Sequence, residues 1–316
     1  MIREVRVIKN ARSMKSARFS AKDLSKEIFS GLGVLGLCLL ISCKPPAQNK
    51  EETKITSPLH YSLTGQGNKT LVFIHGWCIN ASYWDHQVNQ FNPQYRVLTL
   101  DLAGHGQSKV NRTRWTIEAY ADDVVELIRE LKLDSVILVA HSMSGNIALH
   151  VYGKIPERII GFVGVDNLHE LGVDRTREEL EQANAYFEHM KDDFPNQSKD
   201  YALKNLFSAT TPDSVKNKVI NDFGSADPSM AISTLQSLIL EGENEKLLAP
   251  KLKVPMLLIL SDNGKIPLTN EASLIQYAKA GHRIYTVKGT GHYPMVEAPE
   301  EFNRQLEAAL NSISAK

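Results

Sequence analysis

The sequence predicts an α/β fold in which helices flank a mostly parallel central sheet. From about residue 54 onward, short apolar runs alternate with amphipathic stretches of helical period, a pattern typical of parallel strands joined by helices. One segment, residues 170–248, breaks this alternation, because it contains several helical patterns and no convincing strand. These two observations predict an α/β core that carries a helical insertion.

Apolar runs bounded by turn residues mark the expected strands. An opening hairpin is expected around residues 55–63, with a turn at 66–68. The strands that follow are expected at residues 70–74, 96–100, 136–140, 159–165, 256–260 and 283–287. In this series the helical insertion comes after the sixth strand.

Apolar residues at the spacing of a helical turn mark the expected helices. In the core, helices are expected at residues 116–131 and 299–313. In the insertion, they are expected at 176–191, 198–207, 212–223 and 229–240. An insertion of this kind in a parallel sheet is best interpreted as a cap. The body therefore divides into an α/β core, residues 54–169 and 249–316, and a helical cap, residues 170–248.

The first 42 residues differ in composition from the rest and predict a signal peptide. Residues 1–27 carry eight basic and three acidic side chains, and the apolar stretch 28–42 is too short to span a bilayer comfortably. The stretch ends directly at Cys43, in the sequence LISC, which resembles the lipobox of bacterial lipoproteins. That resemblance implies an acylated Cys43, a tether at residues 43–53, and an exported protein lipid-anchored to a bacterial membrane, periplasmic or at the cell surface.

Other interpretations of the N-terminus stay open. A signal anchor, or a signal peptide that ends near a chance cysteine, fits the same pattern, and translation from Met14 would shorten the basic region. Without residues 1–42, Cys43 and Cys78 are the remaining cysteines, so acylation of Cys43 leaves no intramolecular disulfide. The remaining 28 basic and 33 acidic side chains favour neither a nucleic-acid partner nor electrostatic binding to anionic lipid.

Residues 139–145, with the sequence VAHSMSG, have the pattern of a nucleophile elbow. In such an elbow a sharp turn between a strand and a helix holds a serine hydroxyl clear of the sheet, and the crowded backbone accepts only small neighbours. The usual pattern is G-x-S-x-G, whereas Ser142 is flanked by Ala140 and Ser144, which are small but are not glycine. We expect Ser142 to be a nucleophile that needs an adjacent base.

Two further motifs supply the groups that such a serine needs. Residues 73–77, FIHGW, end a strand with a glycine. The backbone N–H of Trp77, together with that of Met143, can then bind the oxyanion of a tetrahedral intermediate. Residues 289–295, GTGHYPM, place His292 in a glycine-flanked loop after the last strand, where it can act as the general base.

Together these motifs resemble those of the α/β-hydrolase family, over nearly all of the chain from residue 54 to about residue 314. The matched motifs are His75-Gly76, the tight loop 101–108, His141-Ser142-Met143 and residues 291–295. The resemblance is to the serine esterase and haloperoxidase-like branch of the family. It implies the α/β-hydrolase fold, hydrolysis of a small or medium carboxylic ester through a Ser-His-Asp triad and an acyl-enzyme, and no metal or organic cofactor.

The carboxylate that would orient His292 has two candidates. In many members of the family it follows the penultimate strand as Gly-x-x-Asp, but here Gly264 occupies the place of the aspartate and Asp262 lies two residues early. Asp166 lies 24 residues after Ser142, which is enough for one helix, a turn and the adjacent parallel strand. Some hydrolases of this fold, including haloalkane dehalogenases and pancreatic-type lipases, are similar in placing their acid after this strand. We therefore favour Asp166 over Asp262.

The cap is expected to shape the substrate pocket. Side chains that can line it, or that can equally pack the cap onto the core, are Tyr186, Phe187, Met190, Phe207, Met230 and Leu235. Two other functions stay open: a ligand-binding sensor that turns over slowly or not at all, and a cofactor-free perhydrolase. The non-glycine flanks of Ser142 and the displaced acid favour the sensor, whereas the presence of both Ser142 and His292 favours an enzyme. Nothing in the sequence sets the oligomeric state.

Overall fold

The structure is a computed structural model that describes residues 57–262 and 270–314. The predicted signal peptide at 1–42, the acylation site Cys43 and the tether at 43–53 lie outside the described residues, as does Gly264. Within the described part of the chain, no helix is long and apolar enough to cross a membrane.

Within the described residues, seven strands form one sheet. They are β1 (Tyr61–Thr64), β2 (Thr70–Ile74), β3 (Arg96–Leu100), β4 (Val136–His141), β5 (Ile159–Val165), β6 (Met256–Ser261) and β7 (His282–Val287). Their order across the sheet is β1-β3-β2-β4-β5-β6-β7, and every neighbouring pair is parallel except β1 with β3. The carboxyl ends of the six parallel strands therefore share one edge of the sheet, where the loops that follow them meet.

The apolar runs form the strands that they predicted, with bounds within one residue of those expected. Strands β2 and β4 are buried along their whole length, because central parallel strands are covered on both faces. In the sequence such strands therefore consist of continuous apolar runs. Strand β7 lies at the edge of the sheet, and only its last residue, Val287, is buried. The α/β prediction and the mostly parallel sheet are confirmed.

The expected opening hairpin is wrong. Strand β1 pairs antiparallel with β3, with Tyr61 opposite Leu100, and not with the next strand in the chain. Both edges of β2 are occupied, by β3 and by β4, and β1 pairs with the outer edge of β3. Gly65, at a φ of 75°, lets the loop between β1 and β2 run against the backbone carbonyls of Asn92 and Tyr95. The helical insertion consequently follows the fifth strand of the described sheet rather than the sixth.

Outside the insertion the described chain has six α-helices, among which those expected at residues 116–131 and 299–313 are confirmed. The six are α1 (Asp85–Phe91), α2 (Ile117–Glu130), α3 (Ser144–Lys154), α9 (Glu271–Tyr277), α10 (Pro294–Glu297) and α11 (Pro299–Ser314). Helix α2 packs against α3, and α11 packs against α1 and strands β5 to β7. Thr116 begins α2, because its hydroxyl accepts a hydrogen bond from the N–H of Ala119.

Five α-helices lie between β5 and β6 in the described chain, and we call them the cap. They are α4 (Arg177–Asp192), α5 (Phe194–Asn205), α6 (Asp213–Gly224), α7 (Pro228–Leu238) and α8 (Gly242–Leu248), of which only α8 was not expected. Helices α7 and α8 contact α2 and α3. The indole N–H of Trp77 donates to the carbonyl oxygen of Ala231 at 2.9 Å, and the hydroxyl of Tyr83 donates to Asp222 at 2.8 Å. These bonds fasten the cap to the loops that follow β2.

Candidate active site

Ser142 lies in a strained turn directly after β4. Its φ is 55°, a left-handed conformation that is uncommon for a residue with a side chain. The turn is held by two backbone bonds, from the N–H of Ser142 to the oxygen of Val165 at 2.9 Å and from the N–H of Gly145 to the oxygen of Ser142 at 3.0 Å. A Cβ at Gly76 would lie 3.0 Å from the Cβ of Ser142, so only glycine fits at position 76, where the backbone comes close to Ser142. This is the strand–turn–helix context of a nucleophile elbow.

The non-glycine flanks of Ser142 have a structural explanation. Ser144 is completely buried, and its hydroxyl donates a hydrogen bond to the backbone oxygen of His75. Glycine has no side chain to make this bond, which ties the loop after β2 to the elbow. Ala140 is also buried, and its backbone oxygen accepts a hydrogen bond from the side-chain amide of Asn167 at 2.7 Å.

His292 faces Ser142 from the loop between β7 and α10. Its Nε2 lies 2.8 Å from Oγ of Ser142, at hydrogen-bond distance. The backbone N–H of His292 donates to the oxygen of Leu206, at the end of a cap helix, at 2.8 Å. Glu297 also holds this loop, because its carboxylate accepts from the N–H groups of Gly291 and Tyr293. The imidazole is therefore positioned by the cap as well as by its own loop.

Asp166 lies on the far side of the imidazole, at the end of β5. Its Oδ2 accepts the N–H of Nδ1 of His292 at 2.5 Å, and its Oδ1 accepts the N–H and the hydroxyl of Ser261 at 2.9 and 2.8 Å. Burial by itself would raise the pKa of Asp166, but hydrogen bonding and charge from His292, with help from His169 and Ser261, outweigh it and hold that pKa below the ordinary value. The carboxyl is thus kept ionised beside the imidazole.

Asp262, the other candidate acid, is exposed and faces a different partner. Its Oδ1 accepts a hydrogen bond from the backbone N–H of Gly289 at 2.6 Å. In the part of the chain that the structure describes, the carboxylate hydrogen-bonded to His292 is Asp166. The reason is topological, since β5 lies next to β4 whereas β6 lies one strand farther from Ser142.

Trp77 and Met143, the expected oxyanion donors, both line a small cavity beside Ser142. Met143 precedes the first residue of α3, so its N–H belongs to the free donors at a helix N-terminus. The ring of Trp77 packs edge-on against Phe223 at 4.9 Å, and its indole N–H is bonded to Ala231. Both expected oxyanion residues therefore lie beside Ser142.

Two other histidines near Ser142 are buried and neutral. Burial lowers the pKa of His75 to about 4 and that of His141 to about 3. The Nδ1–H of His75 donates to the oxygen of Gly76 at 2.8 Å, and its Nε2 accepts from the N–H of Leu102 at 2.9 Å. The Nε2–H of His141 donates to the oxygen of His292 at 2.8 Å. Both rings hold backbone in place and bring no positive charge to the site.

Two cavities meet at Ser142. The outer cavity, of about 390 Å³, has mixed walls, with polar side chains that include Asn146, His169, Glu170, Arg175, Asn205 and Glu245 and apolar ones that include Leu168, Val173, Leu238 and Ile239. The inner cavity, of about 70 Å³, has largely apolar and aromatic walls that include Trp77, Tyr201, Phe223, Leu235, Leu238 and Tyr293. Ser142, Met143 and His292 line both cavities. An ester bound at Ser142 therefore meets a small, largely apolar space on one side and a larger space of mixed polarity on the other.

The expected pocket residues are largely wrong. Of the six, Leu235 lines the inner cavity, and none of Tyr186, Phe187, Met190, Phe207 and Met230 lines either cavity. Tyr186 points outward and is 44% exposed, and Phe187 packs partly buried against the core. Met190, Phe207 and Met230 are buried inside the protein. Hydrophobicity alone did not separate residues that pack the cap onto the core from residues that face Ser142.

For two residues in the wall of the outer cavity, Asn146 and His169, the spacing in the sequence indicates a place near Ser142 and Asp166. Asn146 lies four residues after Ser142, so the first turn of the elbow helix returns it to the same side. His169 lies three residues after Asp166 in the same loop. By contrast, Glu245 reaches the site from a short helix that the sequence did not predict.

Asn167 is a further residue that the sequence analysis missed. It follows Asp166 and is 5% exposed, and its side chain lies against two glycines. A Cβ at Gly145 would lie 2.7 Å from its amide, and a Cβ at Gly164 would lie 2.3 Å from its Oδ1. With its bond to Ala140, Asn167 ties the turn that carries Asp166 to the turn that carries Ser142.

Comparison with known proteins gives one family. A family model described as the alpha/beta hydrolase fold matches residues 69–299. A thermophilic esterase from Thermogutta terrifontis has a similar structure, with a TM-score of 0.70 at 23% identity over 81% of this chain and 93% of its own. At that identity the likeness concerns the fold.

Two sequence relatives differ in how much they share with the chain. The pimeloyl-[acyl-carrier protein] methyl ester esterase of Vibrio vulnificus is 24% identical over 258 residues, which are 80% of this chain and 98% of the esterase. The non-heme chloroperoxidase CPO-A1 of Kitasatospora aureofaciens is 36% identical over 97 residues, but these are only 30% of this chain and 35% of the chloroperoxidase. The second similarity is therefore confined to about a third of each protein.

The contact between Asn167 and Gly145 predicts a coupled pair of substitutions. Asn167→Ala removes a buried hydrogen bond and is expected to lower the free energy of unfolding by about 1–3 kcal/mol. Gly145→Ala is expected to destabilise because its Cβ meets the Asn167 amide. In the double variant that collision is absent, so its loss should be smaller than the sum of the single losses. Urea unfolding of the four proteins measures this, and strict additivity would contradict the contact.

The buried neutral histidines predict a loss of stability in mild acid. Burial lowers the pKa of His75 to about 4 and of His105 and His141 to about 3, whereas an unfolded histidine has a pKa of about 6.5. Below about pH 6.5 the unfolded chain binds more protons. As the pH falls below that value, each such histidine lowers the free energy of unfolding by up to about 1.4 kcal/mol per pH unit, whereas above it this loss is absent.

Urea unfolding between pH 7.5 and pH 4.5 tests this dependence. In the variant His105→Gln, the free energy of unfolding is expected to fall less steeply with falling pH than in the unchanged protein. The difference should be up to about 1.4 kcal/mol per pH unit, the contribution of one proton. His86→Gln is the matched control, because His86 is exposed. A free energy of unfolding that stays constant over this range would contradict the prediction.

Proposed function

The chain belongs to the alpha/beta hydrolase family, and from that premise we propose that it is a serine hydrolase that cleaves carboxylic esters through Ser142, His292 and Asp166. Its relatives include esterases, which supports hydrolytic activity in general. The observation that carries the finer proposal is the unbroken chain of hydrogen bonds from Ser142 through His292 to Asp166. No metal or organic cofactor is part of the proposed mechanism.

The first half of the reaction forms an acyl-enzyme. Oγ of Ser142 attacks the carbonyl carbon of the ester while Nε2 of His292 takes the hydroxyl proton, across the 2.8 Å that separates the two atoms. The carbonyl π electrons move to oxygen, and the N–H groups of Trp77 and Met143 stabilise the resulting oxyanion. When the tetrahedral intermediate collapses, the bond to the alcohol oxygen breaks and His292 returns its proton to that oxygen.

The second half repeats these steps with water. His292 removes a proton from a water molecule, whose oxygen attacks the acyl carbon, and the collapsing intermediate releases the carboxylic acid while Ser142 regains its proton. The hydrogen bond from His292 to Asp166 holds the imidazole in the tautomer that can accept a proton at Nε2. The ionised carboxylate also stabilises the imidazolium that forms in each half.

Perhydrolysis is a second candidate activity. The similarity to a non-heme chloroperoxidase over 97 residues favours it, and the same acyl-enzyme can serve it. Hydrogen peroxide would attack the acyl carbon in place of water and release a peroxyacid, with Ser142 and His292 in unchanged roles. Adding hydrogen peroxide to the ester assay and measuring peroxyacid distinguishes the two activities.

We further propose that the protein is exported and anchored through lipid on Cys43. The proposal rests on the basic segment, the apolar stretch and the LISC sequence at the N-terminus. Mass spectrometry of the purified chain tests it, since an unmodified Cys43 or an intact residue 1–42 segment in the mature protein would contradict it.

Reaction of Ser142 with a fluorophosphonate probe tests the proposed enzyme against a non-catalytic sensor. We expect mass spectrometry to find the probe on Ser142, and hydrolysis of p-nitrophenyl acetate to fall by roughly 10⁴-fold or more in Ser142→Ala. The matched control is Ser229→Ala, because Ser229 is an exposed serine on α7 and lies outside both cavities. A folded protein that neither takes up the probe nor hydrolyses the ester would contradict the proposed enzyme and favour the sensor.

The two candidate acids predict different losses of activity. Asp166→Asn is expected to lower kcat by roughly 10³- to 10⁴-fold, because the amide favours the wrong tautomer of His292. Asp262→Asn is expected to change kcat by less than about threefold, because its carboxylate bonds to the N–H of Gly289 instead. Steady-state kinetics of both variants measure this, and the reverse order of losses would assign the acid to Asp262.

A further inference from the structure

The two cavities differ in size by more than fivefold. The inner cavity, of about 70 Å³, is far below the usual range of small-molecule sites, about 300–1,000 Å³. A space this small suits a short acyl group such as acetyl or propionyl better than a long acyl chain. The outer cavity, of about 390 Å³, lies in the usual range of small-molecule sites.

The oxyanion donors relate the acyl group to the inner cavity. Trp77 lines the inner cavity and not the outer one, whereas Met143 lines both. In the proposed mechanism the N–H groups of both residues bind the carbonyl oxygen, so that oxygen lies beside residues that line the inner cavity. The order of release supports the same assignment: the alcohol must leave while the acyl group is still bound to Ser142, and the larger cavity gives it a path.

The walls of the outer cavity favour a ligand that donates hydrogen bonds. The side-chain oxygen of Asn146 is buried and has no hydrogen-bond partner within residues 57–262 and 270–314. The buried carboxyl of Glu245 accepts from the N–H of Gly172 at 2.7 Å and bonds to the amide of Asn146, which leaves further lone pairs for a ligand. An alkyl chain placed here would leave these acceptors unsatisfied, which is costly.

The charges at the rim add a second preference. Glu170 and Arg175 form an ion pair at 2.5 Å, so Arg175 is already neutralised. Glu245 and Asp166 are the other carboxyl groups in the lining, and they face no further Lys or Arg there. An alcohol part that carries a carboxylate or a phosphate is therefore disfavoured by repulsion.

Resting on the proposed function, we infer that the preferred substrate is a short-chain acyl ester, acetyl or propionyl, of an alcohol that carries further hydroxyl groups and no anionic group. The acyl group occupies the inner cavity. The hydroxyl-bearing part occupies the outer cavity and donates hydrogen bonds to Asn146 and Glu245. Both residues act in substrate recognition and neither takes part in the proton transfers.

The acyl side is tested with p-nitrophenyl esters of increasing chain length on the full chain. We expect kcat/KM for the hexanoate to be at least tenfold below that for the acetate. Leu235→Ala, which enlarges the inner cavity, should raise the hexanoate-to-acetate ratio about tenfold, and the milder Leu235→Val should raise it less. Leu240→Ala, an exposed leucine two residues beyond the same helix, is the matched control. A hexanoate that reacts as fast as the acetate in the unchanged protein overturns this assignment.

The alcohol side is tested with two acetate esters of similar size, glycerol monoacetate and pentyl acetate. We expect kcat/KM for the glycerol ester to be at least tenfold higher. Asn146→Leu and Glu245→Leu should each lower that preference by about tenfold, whereas Glu245→Gln, which keeps accepting oxygen, should largely retain it. Glu243→Leu is the matched control, because Glu243 is an exposed acid on the same helix and lies outside the lining.

The possible failures of these tests are distinguishable. If p-nitrophenyl acetate is hydrolysed through Ser142 but pentyl acetate equals or exceeds glycerol monoacetate, the inferred alcohol class is wrong and the proposed function stands. If no ester is hydrolysed and the fluorophosphonate probe does not react with Ser142, the proposed function itself is wrong. The melting temperature of each variant shows whether a changed ratio belongs to a folded protein.

Discussion

The placement of Ser142, His292 and Asp166 depends on the register in which β4 pairs with β5. His141 lies opposite Val165, so the next residue of each strand, Ser142 and Asp166, leaves the sheet at the same edge and on neighbouring strands. The bond from the N–H of Ser142 to the oxygen of Val165 holds this end of the pair at 2.9 Å. Both residues then turn through positive φ angles, 55° and 46°. One imidazole, that of His292, bridges them. If the pairing of β4 with β5 slipped by one residue, the side chain of Ser142 or of Asp166 would point to the opposite face of the sheet.

The electrostatics of the site follow from burial. His75 and His141 lie close to Ser142, yet burial lowers the pKa of each far enough that both stay neutral at physiological pH. Asp166 is buried as well, but the hydrogen bonds that it accepts keep its pKa low and the carboxylate ionised. A positive charge that forms on His292 is therefore balanced by one adjacent carboxylate, in surroundings where water screens little. Such an arrangement suits the proton transfers proposed for His292.

The cap also holds parts of the candidate site in place and lines its cavities. The N–H of His292 donates to Leu206 and the indole of Trp77 donates to Ala231, so two elements of the proposed chemistry are fastened to cap backbone. The cap also provides Leu235 in the wall of the inner cavity and Glu245 in the wall of the outer one. Because the same helices hold His292 and Trp77 in place and line both cavities, a change in how the cap packs would alter the positions of these two residues and the walls of the cavities.

Local patterns in the sequence determined much of this protein: the strand bounds, the elbow at Ser142 and the glycine-flanked loop of His292. These features depend on neighbouring residues, whose polarity and size are readable in order. Only the tertiary structure decided which distant elements meet. It paired β1 with β3, brought Asp166 rather than Asp262 to His292, and turned Leu235 toward Ser142 while burying Met190 elsewhere. Spacing allows several partners for a strand end or an apolar side chain, and the choice among them is made by register and packing across the whole fold.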